Sequence, residues 1–450
     1  MPKPKLLGFW MCTALVVGNM IGSGIFLMPA SLAPYGLNSV IAWLPTALGA
    51  IVLSFVFAYL SKAFPHSGGP YAYTRAAFGD FPAFVVAWGY WVSVWVGNVS
   101  IATGAVAYLS ALMPWIATVP GASALVTLFF LWLMTLVNCL GVREMGWVQM
   151  ITTVMKLMPL LAIAIFGIFY LRPVHLEQNS AIPLSMSGVT ASATIALFAL
   201  MGLESATIPA DKVENPSHTI PRATLIGTIV TAIIYIISCS VVLILLPTAR
   251  LSASNAPFAE VATLFWGSGA GKLLALFAAI SGFGALNGWI LLQGEVPHAM
   301  ANDGVFFKPF AQESRRGTPT FALVFTSGLV SILVLATYQQ SMVSVFTFMV
   351  LLSTTACLIM YLLCAVALLK LWWEGKVQTA GRRSPWIAAA GVVGGLYALW
   401  TIYGASQDPT RVFGHGPLFW GFMLLLVAVP LFFLMRLGRP SSPPMDAPPS

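Results

Sequence analysis

Twelve apolar runs, each long enough to cross a lipid bilayer as a helix, follow one another through this chain of 450 residues. A crossing needs ~20 apolar residues in helical form, because backbone N–H and C=O groups find no water in the hydrocarbon and must bond within their own segment. The runs cover 8–34, 38–62, 81–113, 122–141, 147–171, 187–210, 222–247, 268–300, 319–337, 342–371, 385–404 and 416–436. Composition agrees: 59% of the residues are hydrophobic, 8% are charged and the mean hydropathy is +0.89, more apolar surface than a water-soluble domain can bury. The expected fold class is an all-α integral membrane protein of twelve transmembrane helices, its lipid bilayer being the first partner. An even helix count puts both termini on one side.

Basic residues choose the side. Sixteen fall in or beside the segments that share the termini's face, against four (Arg172, Arg250, Lys272 and Arg411) on the other. Positive residues favour the cytoplasm, so both termini are expected there, in a bacterial cytoplasmic (inner) membrane. The same bias accounts for the net charge of +8 without a nucleic-acid partner. The first run has only Lys3 and Lys5 ahead of it and no small-residue cleavage site, which reads as a retained helix rather than a signal peptide. Cys12, Cys139, Cys239, Cys357 and Cys364 all lie in apolar runs without CxxC spacing, arguing against a disulfide framework or a metal centre. His66, His175, His218, His298 and His415 are scattered, and neither HExxH nor GxSxG occurs, so an enzyme is not expected and no cofactor is called for. One domain, 1–437, precedes a Pro- and Ser-rich tail, 438–450, expected to be disordered.

The first run is interrupted. It contains GNMIGSGIFLMPA, residues 18–30, where glycines and a proline weaken a helix halfway across the membrane. Five runs later GLESATIPA, residues 202–210, shares with GSGIFLMPA, residues 22–30, the opening Gly and the closing Pro-Ala. An offset of five spans inverts the second copy relative to the first, as in transporters built from inverted repeats. A break in lipid survives only where it is buried or wet. Facing half-helix ends offer N–H groups to a carboxylate and bare carbonyls to an ammonium group. The competing reading of Gly18-x-x-x-Gly22 is close helix packing.

Several longer motifs carry a family likeness. GNMIGSGIFLMPASLAPYG, GGPYAYTRAAFG (68–79), GYWVSVWVGN (89–98), GLESATIPADKVENPSHTIPRATLIG (202–227) and GALNGWILLQGEVPHAMANDGVFF (284–307) together resemble the amino acid-polyamine-organocation superfamily, nearest its bacterial arginine/agmatine antiporter group. The resemblance implies a leucine-transporter-type fold with broken helices 1 and 6. Helices 1–5 (8–171) and 6–10 (187–371) would be the inverted repeats, with helices 11–12 (385–436) outside them. It also implies alternating access around a midplane site. Matching positions for the substrate head group are Asn19, Met20, Ile21, Ser23 and Gly24, with Met201 and Gly202 at the second break. Phe198 stands where that group has a covering Trp, and Trp289, Asn98 and Ser353 match the residues around the guanidinium end. Ser93, Val94 and Ile101 replace other helix 3 residues, Tyr90 and Phe346 match aromatic gates, and Tyr71 matches a tyrosine tied to pH response.

Two ionisable residues lie deep in the runs, Lys156 and Glu204. A charge at the bilayer centre costs ~2.5–3.5 kcal/mol on insertion scales, so such residues mark pathways or coupling sites. Lys156 departs from the antiporter group and resembles the helix 5 lysine of proton-coupled and L-type relatives, where an ammonium replaces a sodium ion; the competing reading is snorkelling to the interface. Glu204 reads equally as a proton acceptor or a structural hydrogen-bond partner. The expected function is secondary active transport of a small-molecule substrate. Asn98, Trp289 and Ser353 favour exchange of cationic amino acids or amines such as arginine, agmatine, lysine or ornithine; Phe198 and Lys156 favour a broader neutral amino acid transporter, proton coupled or exchanging. A homodimer is compatible with either.

Overall fold

The computed structural model describes residues 7–179, 181–378, 382–407 and 415–436; the tail at 438–450 lies outside them. Among the described residues regular structure is helical, apart from isolated bridges such as Leu7 with Val213. The first half comprises α1 (Phe9–Met20), α2 (Ser23–Leu32), α3 (Leu37–Ala63), α4 (Pro70–Phe78), α5 (Asp80–Leu112), α6 (Trp115–Thr118), α7 (Ala122–Leu140), α8 (Val142–Gly167) and α9 (Pro173–Gln178). The second comprises α10 (Met186–Leu200), α11 (Pro216–Leu245), α12 (Thr248–Ser252), α13 (Pro257–Asn302), α14 (Thr320–Ala336), α15 (Met342–Trp373), α16 (Pro385–Gln407), α17 (Pro417–Leu426) and α18 (Ala428–Arg436).

Among the described residues, ten helical stretches are long and apolar enough to cross a membrane, α1 with α2 and α17 with α18 each counting once. The sequence predicts twelve. The two apolar runs that fall short are α10, which stops after 15 residues, and α14, which has 17. The bundle core is largely apolar, but its peripheral helices also turn polar residues inward. Helix α7 turns Thr127, Leu131, Thr135 and Asn138 inward and leaves Leu125, Phe129, Trp132 and Leu136 exposed, each set spaced along one helical stripe. Polar groups find partners between helices while apolar side chains face lipid. At the centre, α5 packs on α13 and α15 and buries 89% of its most apolar window, against 28% for α7.

Both expected interruptions are present. Helix α1 ends at Met20, the chain runs extended through Ile21 and Gly22, and α2 begins at Ser23. Gly22 is required by proximity rather than by its dihedral angles: a Cβ there would lie 2.7 Å from the Ala285 Cβ of α13. Helix α10 stops at Leu200, Gly202 takes a left-handed φ of +104°, and only single 3-10 turns follow, at Ser205–Thr207 and Ala210–Lys212. A residue with a Cβ is strained at that φ, and here the Cβ would also sit 3.2 Å from Trp289 Cζ2. Helix α13 bends at Gly267, one residue before the expected start of the eighth span, so Pro257–Trp266 forms a separate leading segment.

Candidate functional site

The end of α1 sets the chemistry of the bundle centre. A helix leaves its last carbonyls without intrahelical partners. Val17 C=O still accepts from the Ile21 N–H at 2.8 Å. Each of the next three meets a side chain from a different distant helix. Lys156 Nζ of α8 donates to Gly18 C=O at 2.7 Å, Trp289 Nε1 of α13 donates to Asn19 C=O at 2.9 Å, and Tyr235 Oη of α11 donates to Met20 C=O at 2.7 Å. Each of these carbonyls therefore already accepts one hydrogen bond from the protein, with one lone pair left over. Lys156 is fully buried and does not snorkel. Its ammonium sits at the negative end of α1, where a cation is favoured.

Beyond the gap the polarity reverses. Helix α2 starts after Gly22, which has no side chain with which to cap the first N–H groups. From α10 comes the opposite end, a helix C-terminus at Leu200. The two breaks are tied together by Asn19 Nδ2, which donates to Ser205 Oγ at 3.0 Å.

Between these ends lies a narrow cavity. Of the residues singled out in the sequence, it is lined by Asn19, Met20, Gly24, Ser93, Val94, Ile101, Phe198, Met201, Trp289 and Ser353. Gly22, Gly97 and Ala199 join them. The residues of this lining are buried, and none of their side chains carries a formal charge. Its space depends on small residues: a Cβ on Gly24 would lie 3.0 Å from Phe198 Cε1, and one on Gly97 would lie 3.0 Å from Ser353 Oγ. Ser353 Oγ donates to Ser93 C=O at 2.7 Å, joining α15 to α5 at one wall. Phe198 meets Phe346 edge-on at 6.4 Å.

Other expected site residues lie elsewhere. Ile21 is buried but does not line the cavity, Gly202 lies behind Trp289, and the side chain of Ser23 lies outside the described set. Asn98 faces away. Its Nδ2 donates to Gln293 Oε1 at 2.7 Å, and Gln293 Nε2 donates to Ser327 Oγ at 2.8 Å, a polar chain between α5, α13 and α14. Glu204 is fully buried and accepts from Tyr361 Oη at 3.1 Å; Tyr90 approaches the same carboxyl without a hydrogen bond of ordinary geometry. Tyr71 lies on α4, with the Arg75 guanidinium 5.9 Å from its ring centroid. Burial, and next the neighbouring Asp303 charge, push the Tyr71 phenol well above its usual range, so the phenol stays protonated at physiological pH.

Sequence reading passed over Tyr235, Gln293 and Tyr361. A polar tip inside an apolar helix was their only signal, and that signal does not name a partner. Gly97 and Ala199 lie beside Asn98 and Phe198 and carried no signal of their own.

Comparisons with known proteins agree along the whole chain. A family model described as amino acid permease matches residues 7–429. A putative arginine/ornithine antiporter of Bacillus subtilis (strain 168) is 30% identical over 464 residues, covering 94% of this chain and 97% of the relative. A cadaverine/lysine antiporter of Escherichia coli (strain K12) is 33% identical over 350 residues, 76% of this chain and 77% of the relative. A putrescine transporter of the same strain is 31% identical over 434 residues, 96% and 98% respectively.

Proposed function

Because the chain belongs to the amino acid permease family, we propose that it exchanges cationic amino acids and related amines across the bacterial inner membrane by alternating access. The observation that carries this reading is the cavity lined by buried residues between the uncapped start of α2 and the end of α10. The N–H groups of α2 attract a carboxylate and the C-terminal dipole of α10 attracts an ammonium group. An α-amino acid carries both on one carbon. Trp289 offers its ring face to a cationic side chain, and Ser93 and Ser353 supply neutral acceptors beside it. Relatives named for arginine, ornithine, lysine, cadaverine and putrescine support this substrate class. Helix α10 with its 3-10 continuation, and α14, complete twelve spans in this reading, arranged as two inverted repeats with both termini cytoplasmic.

Counterflow in proteoliposomes loaded with lysine, arginine, ornithine, putrescine or cadaverine tests it. Exchange among them is expected, and absence of flux with all five defeats the reading. A second reading, transport of neutral amino acids, is favoured by one observation: the lining holds no carboxylate to pair with a cationic side chain. Exchange of alanine or leucine at rates above lysine would select it.

Trp289 separates head-group from side-chain recognition. Trp289→Phe keeps a ring but removes the donor to Asn19 C=O, and loss of one buried hydrogen bond, about 1–3 kcal/mol, should weaken all substrates alike. Trp289→Ala should add a further loss of about 0.5–2 kcal/mol for cationic substrates only. Inhibition constants for lysine and alanine on both variants check this, and equal losses with Trp289→Ala would place the side-chain pocket elsewhere.

A further inference from the structure

A second, smaller space, wide enough for about one ammonium group or water molecule, lies along the same helices, towards α4. Tyr71, Ala87, Tyr90, Ile208, Val296 and Ala299 form most of its wall. On α5 one helical turn separates Tyr90 from Ser93 in the central cavity. On α13, Val296 and Ala299 follow Trp289 by two to three turns, an offset of about 10–15 Å at the helical rise. The two chambers are successive spaces on one line.

The second chamber is apolar except at two points. Tyr71 and Tyr90 are 5% and 2% exposed, and neither hydroxyl has a hydrogen-bond partner. A buried polar group left unpaired is costly, and here two of them line one empty space. Each phenol has one carboxylate at the edge of hydrogen-bond reach, Asp303 for Tyr71 and Glu204 for Tyr90. Arg75 is the cation beside Tyr71. It is held by Asp80 at 2.9 Å and Asp303 at 2.8 Å and covers part of the Tyr71 ring, leaving the hydroxyl end free.

We propose that this chamber is a second, transient binding site for the ammonium end of a transported amine, occupied between the central cavity and release on the α4 side of the membrane. The ammonium donates to the two phenol oxygens while each phenol turns its own proton towards its carboxylate. The inference depends on the transport reading above, and its test separates the two.

Full-length protein of known orientation in proteoliposomes is assayed for exchange of putrescine, lysine and arginine from each face, and detergent-purified protein is assayed for equilibrium binding of the same three. Tyr71→Phe keeps the ring and removes only an unpartnered hydroxyl, so folding is not at risk. The expected result is a KM on the α4 face raised about tenfold more than the KM on the opposite face, the size of one lost hydrogen bond to a charged group. A second, weaker binding step should be present in the wild type and absent in the variant. Ala299→Leu, which fills the chamber, should reproduce the asymmetry. Equal KM changes at the two faces with an unchanged binding isotherm would overturn the second site and leave the transport reading intact. A wild type that neither binds nor exchanges any of the three would overturn both.

Discussion

Lys156→Ala is expected to abolish measurable exchange and to lower thermal stability more than any other single change at the bundle centre. The ammonium is fully buried and donates to the last turn of α1, joining two helices whose contacting residues are 138 positions apart. Removing it leaves Gly18 C=O without its donor, at about 1–3 kcal/mol for an orphaned buried acceptor. The vacated side-chain volume adds a cavity cost, about 2–5 kcal/mol for large-to-alanine changes in packed cores. It also takes a positive charge from the negative end of a half-helix that no longer has a second half to continue its dipole. Lys156→Met separates these effects. It restores most of the volume, so its thermal midpoint should stay within a few degrees of wild type, while exchange remains lost by more than tenfold, roughly the 1.4 kcal/mol or more expected of a charged hydrogen bond. Counterflow and a thermal unfolding curve on both variants check the expectation. Near-normal exchange by Lys156→Met would mean that the lysine only fills space.

Gly22→Ala should be nearly as damaging, and it should be rescued by a single compensating change. An added Cβ would meet the Ala285 Cβ at 2.7 Å, closer than packed carbon atoms approach, and neither atom has a rotamer through which to escape. The α1–α2 gap and α13 must move apart. That displacement would disturb the Trp289 to Asn19 bond four residues further along α13, so overpacking of about 1–3 kcal/mol should be accompanied by loss of substrate binding. Ala285→Gly alone costs about 1 kcal/mol as a glycine in a helix interior. Combined with Gly22→Ala, it removes the opposing methyl group and should restore binding to within a few fold of Ala285→Gly alone. Failure of the double variant to recover would show that Gly22 is needed for its backbone freedom, not for the approach of α13. Its φ of −129° argues otherwise, because any residue can adopt it.

Local and short-range features of the sequence were enough for ten of the twelve expected runs, most helix ends to within a few residues, and both interruptions. These follow from hydropathy summed over a span and from Gly and Pro acting on their immediate neighbours. The hydropathy pattern passed over α4, although Pro70 at its first position and Gly79 after its last are the marks of a short helix; it is too polar to register as a span. Asn19, Met20, Gly24, Phe198 and Met201, named through the family resemblance, line the cavity because the chain itself carries them beside the breaks. The direction in which Asn98 faces was not legible, because its partner Gln293 lies 195 residues away on another helix. Tyr235, with no motif around it, could not be matched to Met20 across 215 residues.

The chain alone thus determined that helices would cross a bilayer and where two of them would stop. Only the packed bundle decided which side chains complete the stopped ends. A broken helix shows in its own residues, but the donors for its carbonyls come from whichever distant helices pack beside it.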